Sequence, residues 1–307
     1  MNISARWAYL AVFIGVCGHA SSEFFAVLSG VSGPEVSVWR YMIGSAGLLL
    51  WAMATPENRD IVTPLKEDWR ALVPLCLIGV SGAYLCFHWA LDFATVIQVA
   101  TVVTTMPIFV GLINLVVNGE RISAVKMITG AMAVAGVVLL LTDGALETLA
   151  EGGDNLWGVL LAICCSALGS GYAVLAKPYM AKHGGMRITT LALLIGAVGL
   201  YVVVGLGWGR WVNPAEIMDF PTVAFWSLLA LAILNTTITQ VLWFGGLAAA
   251  PDITRASYLF FLKPVIAAVL AIFILAQEPT LLQALAILVV TGSVFVEMFW
   301  PRKPAPA

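Results

Sequence analysis

Runs of about 20 apolar residues recur along the whole chain, and each is long enough to cross a hydrocarbon core roughly 30 Å thick. No other feature constrains the fold so strongly, because a backbone that crosses lipid must satisfy its hydrogen bonds internally. Of the 307 residues, 61% are hydrophobic and 10% charged, whereas soluble domains carry about 25% charged residues. The pattern is that of a polytopic, all-α membrane protein. The first apolar run continues past the length of a signal h-region and shows no small-residue cleavage site, so no amino-terminal signal peptide is expected. The last residues, "PRKPAPA", read as a short disordered tail.

The hydropathy pattern predicts ten transmembrane helices. The first five lie at about 7–28, 35–54, 71–91, 95–117 and 124–142, and the second five at about 156–180, 188–207, 222–246, 254–276 and 280–299. Between them stand stretches with loop chemistry, such as "SGVSGPE", "NGERIS" and "KHGGMR". The least marked break falls at 91–95, where only Asp92 interrupts the apolar pattern. With the amino terminus inside, eleven basic residues, from Arg6 to Lys303, fall in cytoplasmic segments and only Arg210 falls outside. That asymmetry places both termini in the cytoplasm and agrees with an even number of spans. The acidic stretch "TDGALETLAEGGDN" then lies outside and reads as a solvated linker. Cys17, Cys76, Cys86, Cys164 and Cys165 all fall within spans and read as small packing residues, without a disulfide framework.

The chain also repeats itself. "VATVVTTMPIFVGLINLVVNGE" in span four is similar to "ASYLFFLKPVIAAVLAIFILAQE" in span nine, which aligns Pro107 with Pro264 and Glu120 with Glu278. "VCGHASSEF" in span one aligns with "CCSALGSGY" in span six. Two halves follow, 1–147 and 148–307, each with five spans. An odd number of spans per half inverts the second half relative to the first, a design that puts a binding site near the bilayer midplane between the repeats.

The paired half-motifs, with a proline in span four or nine and a glutamate at the following loop, resemble the EamA-type family of the drug/metabolite transporter superfamily. Arg40, early in span two, belongs to the same likeness, which covers nearly the whole chain. The resemblance implies a ten-helix fold with spans one to four and six to nine around a central cavity and spans five and ten at the periphery. Within the family the chain is most similar to the amino-acid exporter branch, which includes an aromatic amino-acid exporter. This likeness implies a bacterial inner-membrane protein moving a small molecule, with no cofactor and no nucleic-acid partner.

Polar residues inside the spans are the candidate functional groups, because a charge at mid-bilayer costs about 2.5–3.5 kcal/mol on insertion scales. Lys263 lies about ten residues into span nine, roughly 14 Å along the axis, too deep for a stem of about 6 Å to snorkel out. It must face protein or a cavity. Two roles are open: a structural cation on carbonyls freed by Pro264, or a counter-charge for a substrate carboxylate. No buried acid of matching depth is evident as its partner. Glu23 and Arg40 fall at equal depth on neighbouring antiparallel spans and are expected to form an ion pair. His19 and Glu23, spaced i, i+4 with Ser22 beside them, form a polar face, and a histidine there could serve proton coupling.

Span three carries Ser81, Tyr84 and His88 along one stripe, with Trp89 adjoining, and span eight carries Asn235, Thr236, Thr237, Thr239, Gln240 and Trp243. The repeat alignment sets Gln240 opposite Tyr84. Span four adds Gln98, Thr101 and Thr105, span six adds Tyr172, and span nine adds Tyr258 beside Lys263. Such residues either bond helix to helix or line a pocket for an amphipathic small molecule. Pro107 and Pro264 are expected to kink spans that border the cavity. The three histidines lie on separate segments without metal-ligand spacing. G-x-S-x-G, H-E-x-x-H and Walker motifs are all lacking, which argues against an intramembrane enzyme and against direct ATP drive. One deep cation among aromatics and amides suits a zwitterion with an apolar side chain. Phosphorylated sugars and nucleotide sugars are the runner-up, ranked lower because a phosphate would prefer two cations and only Lys263 is deep; organic cations would be repelled.

Overall fold

A computed structural model describes residues 5–94, 96–119, 122–142, 154–266, 269 and 280–300. The linker at 143–153, the tail at 301–307, Glu120, Glu278 and the side chains of Gln98 and Thr101 lie outside the described residues. The secondary structure of the described residues is helical, with no strand among them. Among the described residues, six runs are long and apolar enough to cross a membrane: Arg6–Leu28, Gly33–Ala54, Pro56–Ala90, Leu156–His183, Gly185–Trp208 and Thr222–Ala249. Shorter apolar helices occupy Val102–Asn118, Ala124–Leu139 and Ala284–Phe299.

Several spans are interrupted where the sequence pattern runs on. The first divides into α1 (Ala5–His19) and α2 (Ser22–Leu28). The turn between them frees backbone groups that lipid could not satisfy. The Gly18 carbonyl accepts from Asn235 Nδ2, which also donates to Ser21 Oγ at 2.9 Å. Ser22 Oγ bonds the His19 carbonyl at 3.0 Å. A side chain more than 200 positions away thus holds the break open.

Pro34 occupies the first turn of α3 (Gly33–Ala54), where its missing N–H costs nothing. Both carboxylate oxygens of Asp92 accept from the Gly33 amide, at 2.9 and 3.2 Å. The one polar residue in the 91–95 break therefore caps a different span. Helix α4 (Val62–Pro74) begins well before the expected start of span three and bends at Asp68, whose φ/ψ of −124°/20° is non-helical. The chain then widens into a π-helical segment, Leu75–Gly82, before α5 (Ala83–Ala90). A second π-helical segment, Ala230–Ile238, joins α11 (Thr222–Leu229) to α12 (Thr239–Ala249). Threonines explain how that turn is tolerated. Thr236 and Thr239 hydroxyls donate to carbonyls five residues back at 2.9 Å, groups that α-winding would have turned toward backbone amides.

The fourth span restarts at Thr105, between α6 (Val96–Thr104) and α7 (Met106–Asn118). Pro107 lies in the first turn of α7, so it opens a helix. The ninth runs as α13 (Ile253–Ser257), a 3₁₀ segment Tyr258–Phe261 and helical residues 262–266. Pro264 again falls in a first turn. At both prolines the interruption comes just ahead of the ring.

The remaining helices are α8 (Ala124–Thr142), α9 (Asp154–His183), α10 (Gly185–Trp208) and α14 (Leu281–Phe299). Helix α1 packs on α12, α3 on α10, α5 on α9, α7 on α13 and α8 on α14. Apolar tails cannot drive helices together in lipid, so close backbone approach must do so. At the α1–α12 contact a Cβ on Gly246 would sit 2.7 Å from Val12 and 2.8 Å from the Ala8 carbonyl, and one on Gly18 would collide with Thr239 Oγ1.

Candidate functional site

The interrupted spans converge on a cavity of about 40 Å³. Its polar lining consists of His19, Ser22, Arg40, Tyr84 and Lys263. Phe87, Trp243, Phe244 and Phe260 supply aromatic walls, and Met106 and Cys165 complete the apolar face. Both halves of the sequence contribute.

Lys263 is 4% exposed and its ammonium forms an ion pair with Glu23 Oε1. The other carboxylate oxygen of Glu23 accepts from Ser22 Oγ at 3.1 Å. Lys263 Nζ also lies over the rings of Phe87 and Phe260, 5.6 and 5.7 Å from their centroids. This corrects the expectation that Lys263 lacks an acid at its depth, and equally the expected Glu23–Arg40 pair. The break at Ala20–Ser21 separates Glu23 from the register of α1 and delivers it to Lys263.

Arg40, fully buried, finds other partners. Its Nε donates to Thr236 Oγ1 at 2.7 Å and its Nη2 to the Asn235 carbonyl at 2.9 Å, both in the second π-helical segment. Its Nη1 is 3.2 Å from His88 Nε2, and its guanidinium covers the Tyr84 ring at 5.0 Å. Guanidinium only donates, so His88 Nε2 accepts and His88 is neutral in this conformation. Its Nδ1–H then donates to Ser37 Oγ at 2.8 Å. Because Arg40 lines the cavity, a second deep cation stands beside Lys263, contrary to expectation.

His19 does not form a continuous polar face with Glu23, since the turn intervenes. Its ring meets Trp243 and Phe260 edge-on, each at 5.7 Å, and its Nε2 has no partner among the described residues. Gln240 Nε2 donates to the Tyr84 hydroxyl, joining the two residues that the repeat alignment set opposite each other. Gln240 Oε1 is left without a partner among the described residues.

Other candidates fall behind or away from the lining. Tyr172 is buried behind Phe244, ring to ring at 4.8 Å. Asn235 and Thr239 serve the α1–α2 break and the π turn. Trp89 packs on Trp208 at 4.8 Å. Thr105 borders a separate, nearly apolar cleft. The Tyr258 hydroxyl donates to the Lys126 carbonyl, because the 3₁₀ turn directs its ring toward α8. Phe87, Phe244, Phe260 and Met106 were missed. Nothing in a lone apolar side chain distinguishes a cavity wall from a lipid-facing surface.

Away from the cavity, Glu67, Asp68 and His183 gather in a cluster whose ligand atoms lie within 4.8 Å of one another. Lys182 Nζ already sits between the two carboxylates, at 3.1 and 2.8 Å, and His183 Nε2 is 2.6 Å from Asp68. This is an ion-pair strap between α4 and α9.

The described residues thus make a multi-pass helical membrane protein around a charged cavity. The EamA-like transporter family model matches residues 6–142 and again 156–299, and the chain belongs to that family. An uncharacterized transporter of Archaeoglobus fulgidus is 27% identical over 262 residues, covering 85% of this chain and 86% of the relative. A protein of Streptantibioticus cattleyicolor named as a probable terminal-alkyne amino-acid exporter is 24% identical, covering 84% and 82%. One solved crystal structure is similar in fold, with a TM-score of 0.78 at 21% identity, covering 95% of this chain and 96% of the other.

Proposed function

We propose that the protein exports small amphipathic metabolites, with aromatic or neutral amino acids as the first class, across a bacterial inner membrane. The observation that carries this reading is Lys263 on a cavity walled by Phe87, Trp243, Phe244 and Phe260. A cation there suits a carboxylate, and rings suit an apolar side chain. The Streptantibioticus relative's name supports the class. The architecture in this reading is ten spans in two inverted repeats, 1–147 and 148–307, with both termini cytoplasmic.

Support for the inversion comes from the packing. An operation exchanging spans one to five with six to ten carries the α1–α12 contact onto the α9–α5 contact, and it maps α3–α10, α7–α13 and α8–α14 each onto itself. All five contacts are present. The cavity lies on that pseudo-twofold, and access alternates as one repeat rocks against the other. Its ion pair crosses the repeats, with Glu23 on the first and Lys263 on the second.

Arg40 favours a second reading, a sugar phosphate or nucleotide sugar, because it brings a second cation to the lining. Its fork is already committed to Thr236, the Asn235 carbonyl and His88, so the amino-acid reading stands first. The test is uptake into liposomes containing the purified protein, with labelled phenylalanine, threonine, a sugar phosphate and choline side by side. Accumulation of an amino acid above empty liposomes is expected. Movement of the sugar phosphate or choline alone would refute the amino-acid assignment.

A further inference from the structure

Resting on the amino-acid reading above, we infer that the Glu23–Lys263 pair occupies the place of a zwitterion: a bound α-amino acid inserts between the two, its carboxylate on Lys263 and its ammonium on Glu23. The assignment gives Glu23 the role of ammonium receptor, a role that the family match leaves unassigned.

Charge must balance between two side chains that solvent barely touches. Glu23 is 2% and Lys263 4% exposed, so neither can lose its counter-charge to solvent. An unpaired buried charge is strongly disfavoured and is relieved by a change of protonation. A zwitterion replaces each partner with a group of the same sign, and every buried charge stays paired. The surroundings fit both ends. Phe87 and Phe260 hold the Lys263 ammonium on its flanks, leaving the face now turned to Glu23 for a carboxylate. Ser22 Oγ anchors the remote oxygen of Glu23, leaving Oε1 for an ammonium. His19 Nε2, on a side chain more than nine-tenths buried and without a partner among the described residues, faces the same space and completes the hydrogen bonding of the inserted group.

Molecules with one charge behave differently. A carboxylate without an ammonium takes Lys263 and strands Glu23, which must accept one proton from bulk solution. An amine without a carboxylate strands Lys263, which must lose one. Besides Lys263, the ionisable groups lining the cavity are His19, Arg40, Tyr84 and Cys165; Glu23 reaches it through its pair with Lys263. Arg40 keeps its charge; Glu23, the group left without a counter-charge, is assigned as the acceptor, and uptake that persists in Glu23→Gln would place the proton on His19 instead.

The test is isothermal titration of the full-length purified protein with phenylalanine, 3-phenylpropanoate and 2-phenylethylamine, in two buffers of different ionisation enthalpy. Phenylalanine is expected to bind tightest with no net proton exchange. Phenylpropanoate is expected to bind more weakly and to take up about one proton per molecule, as an unpaired buried carboxylate requires. The Glu23→Gln variant should bind phenylalanine at least about tenfold more weakly, the lower end of the cost of breaking a desolvated charge pair. Its Lys263 ammonium, held by the substituted amide and the two aromatic faces, stays charged, so phenylpropanoate should bind without proton uptake. If Glu23→Gln does not fold, the wild-type ligand series decides by itself. Phenylalanine binding that takes up one proton, or that is indifferent to Glu23→Gln, overturns the inference and leaves the amino-acid reading standing. Failure of phenylalanine to bind at all overturns both.

Discussion

Replacing Lys263 by methionine tests the buried pair directly, and its consequences for stability can be worked from the geometry. The change leaves Glu23 2% exposed with only the Ser22 hydroxyl, at 3.1 Å, for company. Removing one member of a buried pair costs about 3–5 kcal/mol, because the other is left uncompensated. Glu23→Gln is the gentler change. Lys263 keeps two aromatic faces, at 5.6 and 5.7 Å, each worth about 0.5–2 kcal/mol when desolvated, and the amide can still accept from the ammonium. The cost should be about 1–3 kcal/mol, toward the value of an ordinary charged hydrogen bond. In the double variant no buried charge remains unpaired at this site, and stability should return to within about 1–2 kcal/mol of the parent, since apolar or neutral replacement of a whole pair is often close to neutral. Equilibrium unfolding in mixed micelles, read by tryptophan fluorescence across the four proteins, gives the coupling energy of the cycle. Additive losses, or a Glu23→Gln loss larger than that of Lys263→Met, would refute the pairing. The double variant, unlike Lys263→Met alone, also separates loss of transport from loss of fold.

Arg40→Lys should cost about 2 kcal/mol or more in the same assay, because a lysine cannot reach Thr236, the Asn235 carbonyl and His88 at once; an unchanged midpoint would contradict the shared role of those three bonds. Gly18→Val should sharply reduce the yield of folded protein. Its Cβ would collide with Thr239, and overpacking alone costs about 1–3 kcal/mol; a folded, monodisperse variant on size-exclusion chromatography would show that α1 and α12 are not locked at that contact.

Apolar run length located the membrane segments because lipid imposes it on each segment independently of the rest. The interruptions inside them were not legible. The turn at Ala20–Ser21 is stabilised by Asn235, and neither residue looks unusual in its own window. Depth along the spans matched Glu23 to Arg40 and gave Lys263 no acid, yet Glu23 pairs with Lys263 and not with Arg40. What decides between them is that Asn235 and Thr236 claim the guanidinium, a matter of packing between distant spans. The Tyr84–Gln240 contact was reachable because the repeat alignment supplies a spatial relation that periodicity lacks. Helix restarts at Pro107 and Pro264 explain why proline pointed to the right places with the wrong geometry: a first-turn proline marks where a helix begins, and the bend precedes it.

The two π-helical segments end at Gly82 and Ile238, two residues ahead of Tyr84 and of Gln240. A π turn is an α-helix holding a surplus residue, and it shifts everything downstream by about 100° around the axis. The faces that meet at the centre of the molecule are therefore set by chain length as much as by side-chain identity. Excising one residue from either segment would relax it to ordinary winding and turn Tyr84 or Gln240 off the axis while both flanking helices persisted. Here the reading frame of a helix, and not any single contact, decides what the cavity displays.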